Sequence, residues 1–263
     1  MRKLHIIIAG FTCTFNCNLG STMPAGALNA ISEHFNVTDR NHLVLLNSLY
    51  MAGYVLGPLL FGPLSEYIGR RPVMVGTYIG YLVFMMASSA SSSYVMLLAF
   101  RVLGGINAAA PTTVIGGLYA DIFDDPGQRG DAIAVYMTVT NVGPFIGPII
   151  SAYSSALSWR WPFWISGILA VVGLPLVLML PETYAPVLRN KRARKLQKEL
   201  GDQAAADQRI QLEVFNVKKI FLRPVTLLVT QPIVACTSAY LTLAYGLMYL
   251  AFQAYPFVFQ SEF

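Results

Sequence analysis

Charge is what this sequence has least of. Asp, Glu, Lys and Arg make up only 12% of its 263 residues, where a soluble domain carries about 25%, so there is too little charge to coat a water-facing surface. Histidine and cysteine occur three times each, and they do not gather with carboxylates in the spacing of a metal site. Cys13, Cys17 and Cys236 all fall inside apolar runs, where an extracellular disulfide framework does not form. The sequence has no G-x-S-x-G elbow, no H-E-x-x-H helix and no phosphate-binding P-loop, which leaves an enzyme without its usual machinery. No catalytic residues, metal or cofactor are therefore expected.

What is present is apolar surface in long runs, 55% of the residues being hydrophobic. Seven stretches of about span length stand out, at roughly 4–28, 43–64, 73–91, 95–118, 133–153, 161–180 and 225–252. They read as an all-α membrane protein with a six-helix transmembrane bundle over 1–180, a basic cytoplasmic loop carrying an amphipathic helix over 181–222, and a seventh span with an outer tail over 223–263. The net charge of +5 is not spread as a nucleic-acid surface would be. With a cytoplasmic amino terminus, Arg70, Arg71, Arg129 and the cluster from Arg189 to Arg223 all fall inside, which the positive-inside rule selects. A multi-pass protein of the plasma membrane is the expectation. The segment LRNKRARKLQKEL reads as a helix along the inner leaflet, drawn to anionic lipid by about 1 kcal/mol per basic residue, with a calmodulin-type or nucleic-acid helix as the weaker alternative.

The loop after the second stretch, GPLSEYIGRRP, packs Gly62, Glu66, Gly69, Arg70 and Arg71 into one tight turn. The glycines permit reversal and close approach, and opposite charges at a membrane boundary attract more strongly than in open water. This turn resembles the signature loop of the major facilitator superfamily, G-x-L-(A/S)-(D/E)-x-x-G-R-(K/R). The resemblance implies that Glu66 helps hold two transporter halves together and that Arg70 pairs with Asp121 at the end of the fourth span.

Arg101 stands inside an otherwise apolar fourth span, and an intramembrane charge is a functional candidate; the alternative is a side chain that snorkels to the interface. The span is similar to the superfamily's R-x-x-Q-G motif, which implies a part in proton transfer, although Gly104 stands where that motif has glutamine. In the fifth span NVGPFIGPII places Gly143, Pro144, Gly147 and Pro148 in one run, a pattern that kinks and packs helices closely. It is similar to the superfamily's antiporter motif G-P-x-x-G-G. Together with WRWPFWI and PETYAPVLRNKRARKL at the two ends of the sixth span, STMPAGALNAISEHFNVT and YGLMYLAFQAYP, it resembles the twelve-span fungal drug:proton antiporter branch.

The fold implied is a six-helix half built from two inverted three-helix repeats, plus one extra span, apparently truncated. Pro24 and Pro111 interrupt the first members of the two repeats at matching positions, which points to a midplane binding site. Asn16, Thr22, Arg101 and Asn107 are the candidate lining residues. Tyr245 and Tyr249, four apart, offer aromatic surface from the seventh span. Asn36 heads a glycosylation sequon too close to the bilayer to be expected modified. The expected function is proton-driven export of a drug, toxin or secondary metabolite, with membrane lipid as the surroundings, no nucleic-acid partner, and either a second copy or a separate C-terminal half completing the path. The competing expectation is a truncated, transport-inactive membrane protein.

Overall fold

The structure is a computed structural model that describes residues 2–37, 39–123, 125–184, 187–189, 226 and 230–260. The described residues form helices and no strand: α1 (Arg2–Thr22), a 3-10 turn (Met23–Ala27), α2 (Leu28–Phe35), α3 (Arg40–Ile68), α4 (Arg70–Ser89), α5 (Tyr94–Ala108), α6 (Ala110–Ile122), α7 (Pro126–Ser155), α8 (Trp161–Leu178) and α9 (Pro232–Gln260). Compactness divides the chain into Met1–Leu212 and Glu213–Phe263, and α9 belongs to the second unit. Most of the basic segment between α8 and α9 lies outside the described residues.

Local chemistry sets the helix ends. The side chain of Asp39 accepts from the Asn41 N–H at 3.0 Å and opens α3, and Asp125 does the same for α7 through Gln128 at 3.2 Å, with Pro126 in the first turn. Asn36 closes α2 with φ at +53°, its N–H reaching the Ser32 carbonyl. Gly69 separates α3 from α4 with φ at +116°, a backbone state that a side chain resists. The fifth span stays one helix through Pro144 and Pro148. The first and fourth spans are each broken: Pro24 stands at the start of the 3-10 turn, and α5 gives way to α6 at Ala109, just before Pro111.

Five of the described helical stretches are long and apolar enough to cross a membrane: α3, α4, α5 with α6, α7 and α8. The seven stretches read from the sequence thus become five, plus α1, whose Thr14, Asn16, Ser21 and Thr22 turn into protein, and α9, in which only Pro232–Met248 counts as a shorter apolar helix. The outside of the bundle is greasy, with Val55, Val95, Ile149 and Val172 exposed, whereas Arg101, Tyr50, Tyr78 and Tyr81 are fully buried. That distribution suits lipid rather than water as the solvent.

The packing has internal symmetry. Exchanging the first span with the fourth, the second with the fifth and the third with the sixth maps the main contacts onto themselves. The pair α1–α7 exchanges with α5–α3, α1–α8 exchanges with α5–α4, and α4–α8 maps to itself. Glycine makes the closest seams possible. A Cβ on Gly105 would strike the backbone of Tyr50, one on Gly53 the backbone of Val102, and one on Gly26 the backbone of Ala152 and Pro148. Small residues let helix backbones approach where lipid supplies no hydrophobic drive.

Gly105→Val is expected to cost on the order of 1–3 kcal/mol through overpacking, read as a lower thermal midpoint of the detergent-solubilised chain. Gly116→Ala, where an added Cβ meets nothing within 4 Å, is expected to leave the midpoint unchanged or raise it, since alanine favours helix by about 1 kcal/mol.

Candidate functional site

The break in α1 has a chemical consequence. Pro24 carries no N–H, so the carbonyl of Gly20 four residues earlier loses its helical donor. Arg101 of α5 supplies the replacement. Its Nη1 donates to the Gly20 carbonyl at 2.7 Å, its Nη2 to Ser21 at 2.9 Å, and its Nε to Leu46 of α3 at 3.1 Å. The guanidinium carbon also lies 4.2 Å from the Tyr50 ring centroid. A cation at the carbonyl end of a helix is favourable, and the arginine fork suits several acceptors at once. Two further donors grip the same turns, Tyr50 to the Cys17 carbonyl at 2.8 Å and Tyr81 to the Asn16 carbonyl at 2.7 Å. Arg101 therefore does not snorkel; it is fully buried and ties α1 to α3 and α5.

The candidate lining residues part company here. Asn16 is buried and donates to Tyr78 of α4 at 2.9 Å and to the Leu169 carbonyl of α8 at 3.4 Å. Thr22 is buried and donates to Leu19 in its own turn, against Gly147. Asn107 donates to Leu103 of its own helix and occupies the space that a Cβ on Gly80 of α4 would need. Tyr245 is exposed on α9, in the other unit, and the side chain of Tyr249 lies outside the described residues. Gly143 and Gly147 of α7 face α1, near Phe15, Leu19 and Thr22, with Pro144 buried beside them.

A different set gathers one residue from each of four spans. Asn18 of α1 donates to the Thr140 carbonyl of α7 at 3.3 Å, Tyr54 of α3 donates to Asn18 Oδ1 at 3.3 Å, and the Tyr54 hydroxyl meets Thr112 of α6 at 3.1 Å. Thr112 donates to its own helix at Ala109, at 2.7 Å. The Tyr54 hydroxyl thus joins Asn18 and Thr112, and the cluster links four spans through neutral polar groups. Asn18, Tyr54 and Thr112 are all half-buried. The signal in the sequence was a polar residue on each of these spans, but Asn18 lies two residues beyond Asn16 on the opposite face of α1, and only packing decides which face meets α3, α6 and α7.

At the α3–α4 turn the carboxylate that meets the start of α4 is that of Glu182. Glu66 is exposed and forms no ion pair among the described residues. Glu182, from the PET segment after α8, accepts at Oε1 from the backbone N–H groups of Arg70 (3.1 Å), Thr183 (3.1 Å) and Tyr184 (3.0 Å), and at Oε2 from that of Arg71 (3.2 Å). A carboxylate thereby caps the amino end of α4. The Arg70 guanidinium donates to the Val114 carbonyl of α6 at 3.2 Å and fills the notch over Gly117. The side chain of Asp121, one turn further along α6, lies outside the described residues. Arg71 donates to the Leu178 carbonyl at 3.1 Å. Asn36 is exposed in its turn, and Thr38 of the same sequon lies outside the described residues.

Removing the guanidinium in Arg101→Ala strands buried carbonyls and is expected to cost about 3 kcal/mol or more in unfolding free energy, with Arg101→Lys recovering only part because an ammonium lacks the fork. Glu182→Ala is expected to speed hydrogen exchange at the amides of Arg70 and Arg71 while leaving those in the middle of α8 unchanged, with Glu182→Gln intermediate; unchanged exchange at both amides would refute the cap.

The sequence profile of the Major Facilitator Superfamily matches residues 10–263. The chain is 35% identical over 260 residues to the transporter paaT of Penicillium rubens, covering 97% of this chain and 47% of that protein. It is 35% identical over 245 residues to the ascochitine biosynthesis cluster transporter of Didymella fabae, covering 91% and 47%, and 34% identical over 257 residues to the citrinin biosynthesis cluster transporter mrr1 of Monascus ruber, covering 95% and 51%. The chain spans about half the length of these curated relatives. Among solved structures its fold is similar to the xylose transporter XylE of E. coli in a partially occluded inward-open conformation, with a TM-score of 0.65 at 14% identity, covering 90% of this chain and 62% of that one. It is also similar to the human organic anion transporter MFSD10, at 0.53 and 19%, covering 70% and 49%. These relatives are transporters rather than enzymes, and the chain, an all-α membrane protein with their fold, belongs to the Major Facilitator Superfamily.

Proposed function

We propose that this chain forms one wall of a secondary active exporter of small organic molecules, a drug, a toxin or a secondary metabolite, driven by proton antiport through alternating access. The observation that carries the reading is the Asn18–Tyr54–Thr112–Thr140 cluster, in which four spans converge and two of the contributing spans are interrupted helices. Its polar groups are neutral, and the Tyr50 and Tyr54 rings stack at 6.4 Å beside it. That chemistry favours an uncharged substrate with hydrogen-bonding groups and a flat conjugated body. The names of the Didymella and Monascus relatives tie those proteins to biosynthetic clusters for ascochitine and citrinin, which supports a secondary metabolite as cargo. The Gly-Pro run of α7 supports export over uptake by its similarity to the antiporter motif.

In this reading Arg101 holds the interrupted α1 in register and Arg70 and Glu182 brace the α3–α4 turn. Glu66, which is exposed, is the group we assign to meeting an opposing half, on its resemblance to the acid of the signature loop. Such a half is required, because a single wall cannot alternate between two faces of a membrane. A second reading follows from that requirement: residues 1–263 by themselves are transport-inactive and work only with a second copy or a C-terminal half. The basic residues beside the spans support a cytoplasmic amino terminus, and export from the cell calls for the plasma membrane.

The test is uptake of a panel of uncharged aromatic metabolites into vesicles containing the chain, alone and together with the remaining half of a curated relative, with and without an imposed proton gradient. Gradient-dependent accumulation is expected, lowered about five-fold by Tyr54→Phe or Asn18→Ala through loss of one hydrogen bond. Accumulation by the chain alone, run as a monomer on blue-native electrophoresis, would eliminate the second reading. Absence of gradient-dependent movement in every combination would eliminate both.

A further inference from the structure

Past the break at Pro24 the first span continues as α2, a helix with few anchors. Of its eight residues only Ile31 is buried. Its last turn rests instead on aromatic rings from distant parts of the chain. Phe35 meets Trp159 edge-on with 5.0 Å between centroids and lies 6.0 Å from Tyr94 at the start of α5. His34 tilts against the same Trp159 ring, at 5.2 Å and 35°. Trp159 is itself buried and backed edge-on by Phe163 of α8 at 6.3 Å, so the indole face that meets His34 is fixed in place.

His34 is exposed and stands in the last turn of α2. Imidazole is the side chain that changes charge between about pH 5 and 8, and a proton on it gains twice at this position. A cation in the last turn stabilises the carbonyl end of a helix, and an indole face attracts a cation through its ring electrons. The neighbouring charges leave that sign intact. Glu33, next along α2, is exposed, and at the start of α3 His42 lies 3.8 Å from Asp39. The Tyr94 hydroxyl donates to the His42 carbonyl, and the side chain of Arg40 lies outside the described residues. Arg160 opposes the proton, its guanidinium carbon 5.1 Å from the Trp159 centroid, but it is exposed to water, where like charges repel weakly.

The element that can respond is α2. It joins α1 through the 3-10 turn, whose Gly26 carbonyl accepts from Ser155 of α7 at 3.1 Å. With the turn held there, α2 either packs on Trp159 or swings away from it.

We propose that His34 and Trp159 form a proton-operated clasp, in which acid closes α2 onto the start of α8 and deprotonation loosens it. The stabilisation is present while the imidazole carries its proton and is lost as rising pH removes it. With the cytoplasmic amino terminus proposed above, the clasp reads the pH outside the cell and sets how firmly the outer end of the interrupted first span is held. The clasp itself does not depend on what the chain carries.

The experiment is hydrogen exchange of the full chain in detergent at about pH 5.5 and about pH 7.5, corrected for the chemical exchange rate at each pH, with the middle of α4 as internal reference. The amides of Ile31 to Phe35 are expected to be about five-fold better protected at the acid pH, the combined effect of the helix-end and cation–π contacts. His34→Gln is expected to show the neutral-pH level at both values. His34→Lys, whose charge is fixed, is expected to show the acid level at both, and His42→Gln to keep the response of the unaltered chain. Equal protection at the two pH values in the unaltered chain, or a response that survives in His34→Gln or vanishes in His42→Gln, overturns the proposal. His34→Lys behaving as His34→Gln overturns the part played by charge. Unchanged exchange in the middle of α4 across the variants excludes general unfolding as the cause. No transport is measured, so failure of the clasp is distinct from failure of the exporter reading.

Discussion

The bundle depends on a cation solvated by carbonyls. Arg101 is fully buried with no carboxylate beside it among the described residues, and its donors go to Gly20, Ser21 and Leu46 instead. Burying a lone guanidinium in a low-dielectric interior is costly unless dipoles replace its water. The end of α1 provides those dipoles because Pro24 has freed the Gly20 carbonyl and the helix terminates there. Each defect satisfies the other, a helix with unpaired acceptors and an arginine without solvent. The consequence for function is positional: the turn that Arg101 grips begins two residues after Asn18, so the polar cluster inherits its placement from that contact.

The same dipole physics operates with opposite sign at the membrane boundary. There the amino end of α4 carries the unpaired N–H groups, and Glu182 arrives from the end of α8 to accept them. An arginine thus holds the carbonyl end of one helix and a glutamate the N–H end of another. Between these two anchors the helices meet through glycine seams, on α3 against α5 and on α1 against α7, in a pattern that the exchange of repeats reproduces. Electrostatic caps at helix ends and bare backbone in between let a bundle cohere in a solvent that gives hydrophobic packing no advantage.

The membrane fold was legible because it rests on one-dimensional properties. Span length, the shortage of charge and the interrupting prolines at 24 and 111 are all properties of local sequence, and the structure breaks both helices at those prolines. The site was less legible. Glu66 stands in the turn and is the natural ion-pair partner by proximity in sequence, yet Glu182, more than a hundred residues on, takes the contact with the start of α4. Distance along the chain says nothing about which carboxylate the tertiary fold carries to a helix end.

Asn16 and Asn18 show the remaining limit. By composition they are the same residue type in the same turns of the same helix, and a rotation of about 200° separates their directions. The sequence by itself determined that this chain lives in lipid as helices, where the first and fourth spans break, and that the charge of Arg101 stands inside an apolar span, because solvation and hydrogen-bond supply are local constraints. Only the tertiary structure decided which polar side chains face one another, because that depends on how neighbouring helices turn about their axes. Those turns are set by backbone contacts at Gly26, Gly53 and Gly105 between residues far apart in the chain.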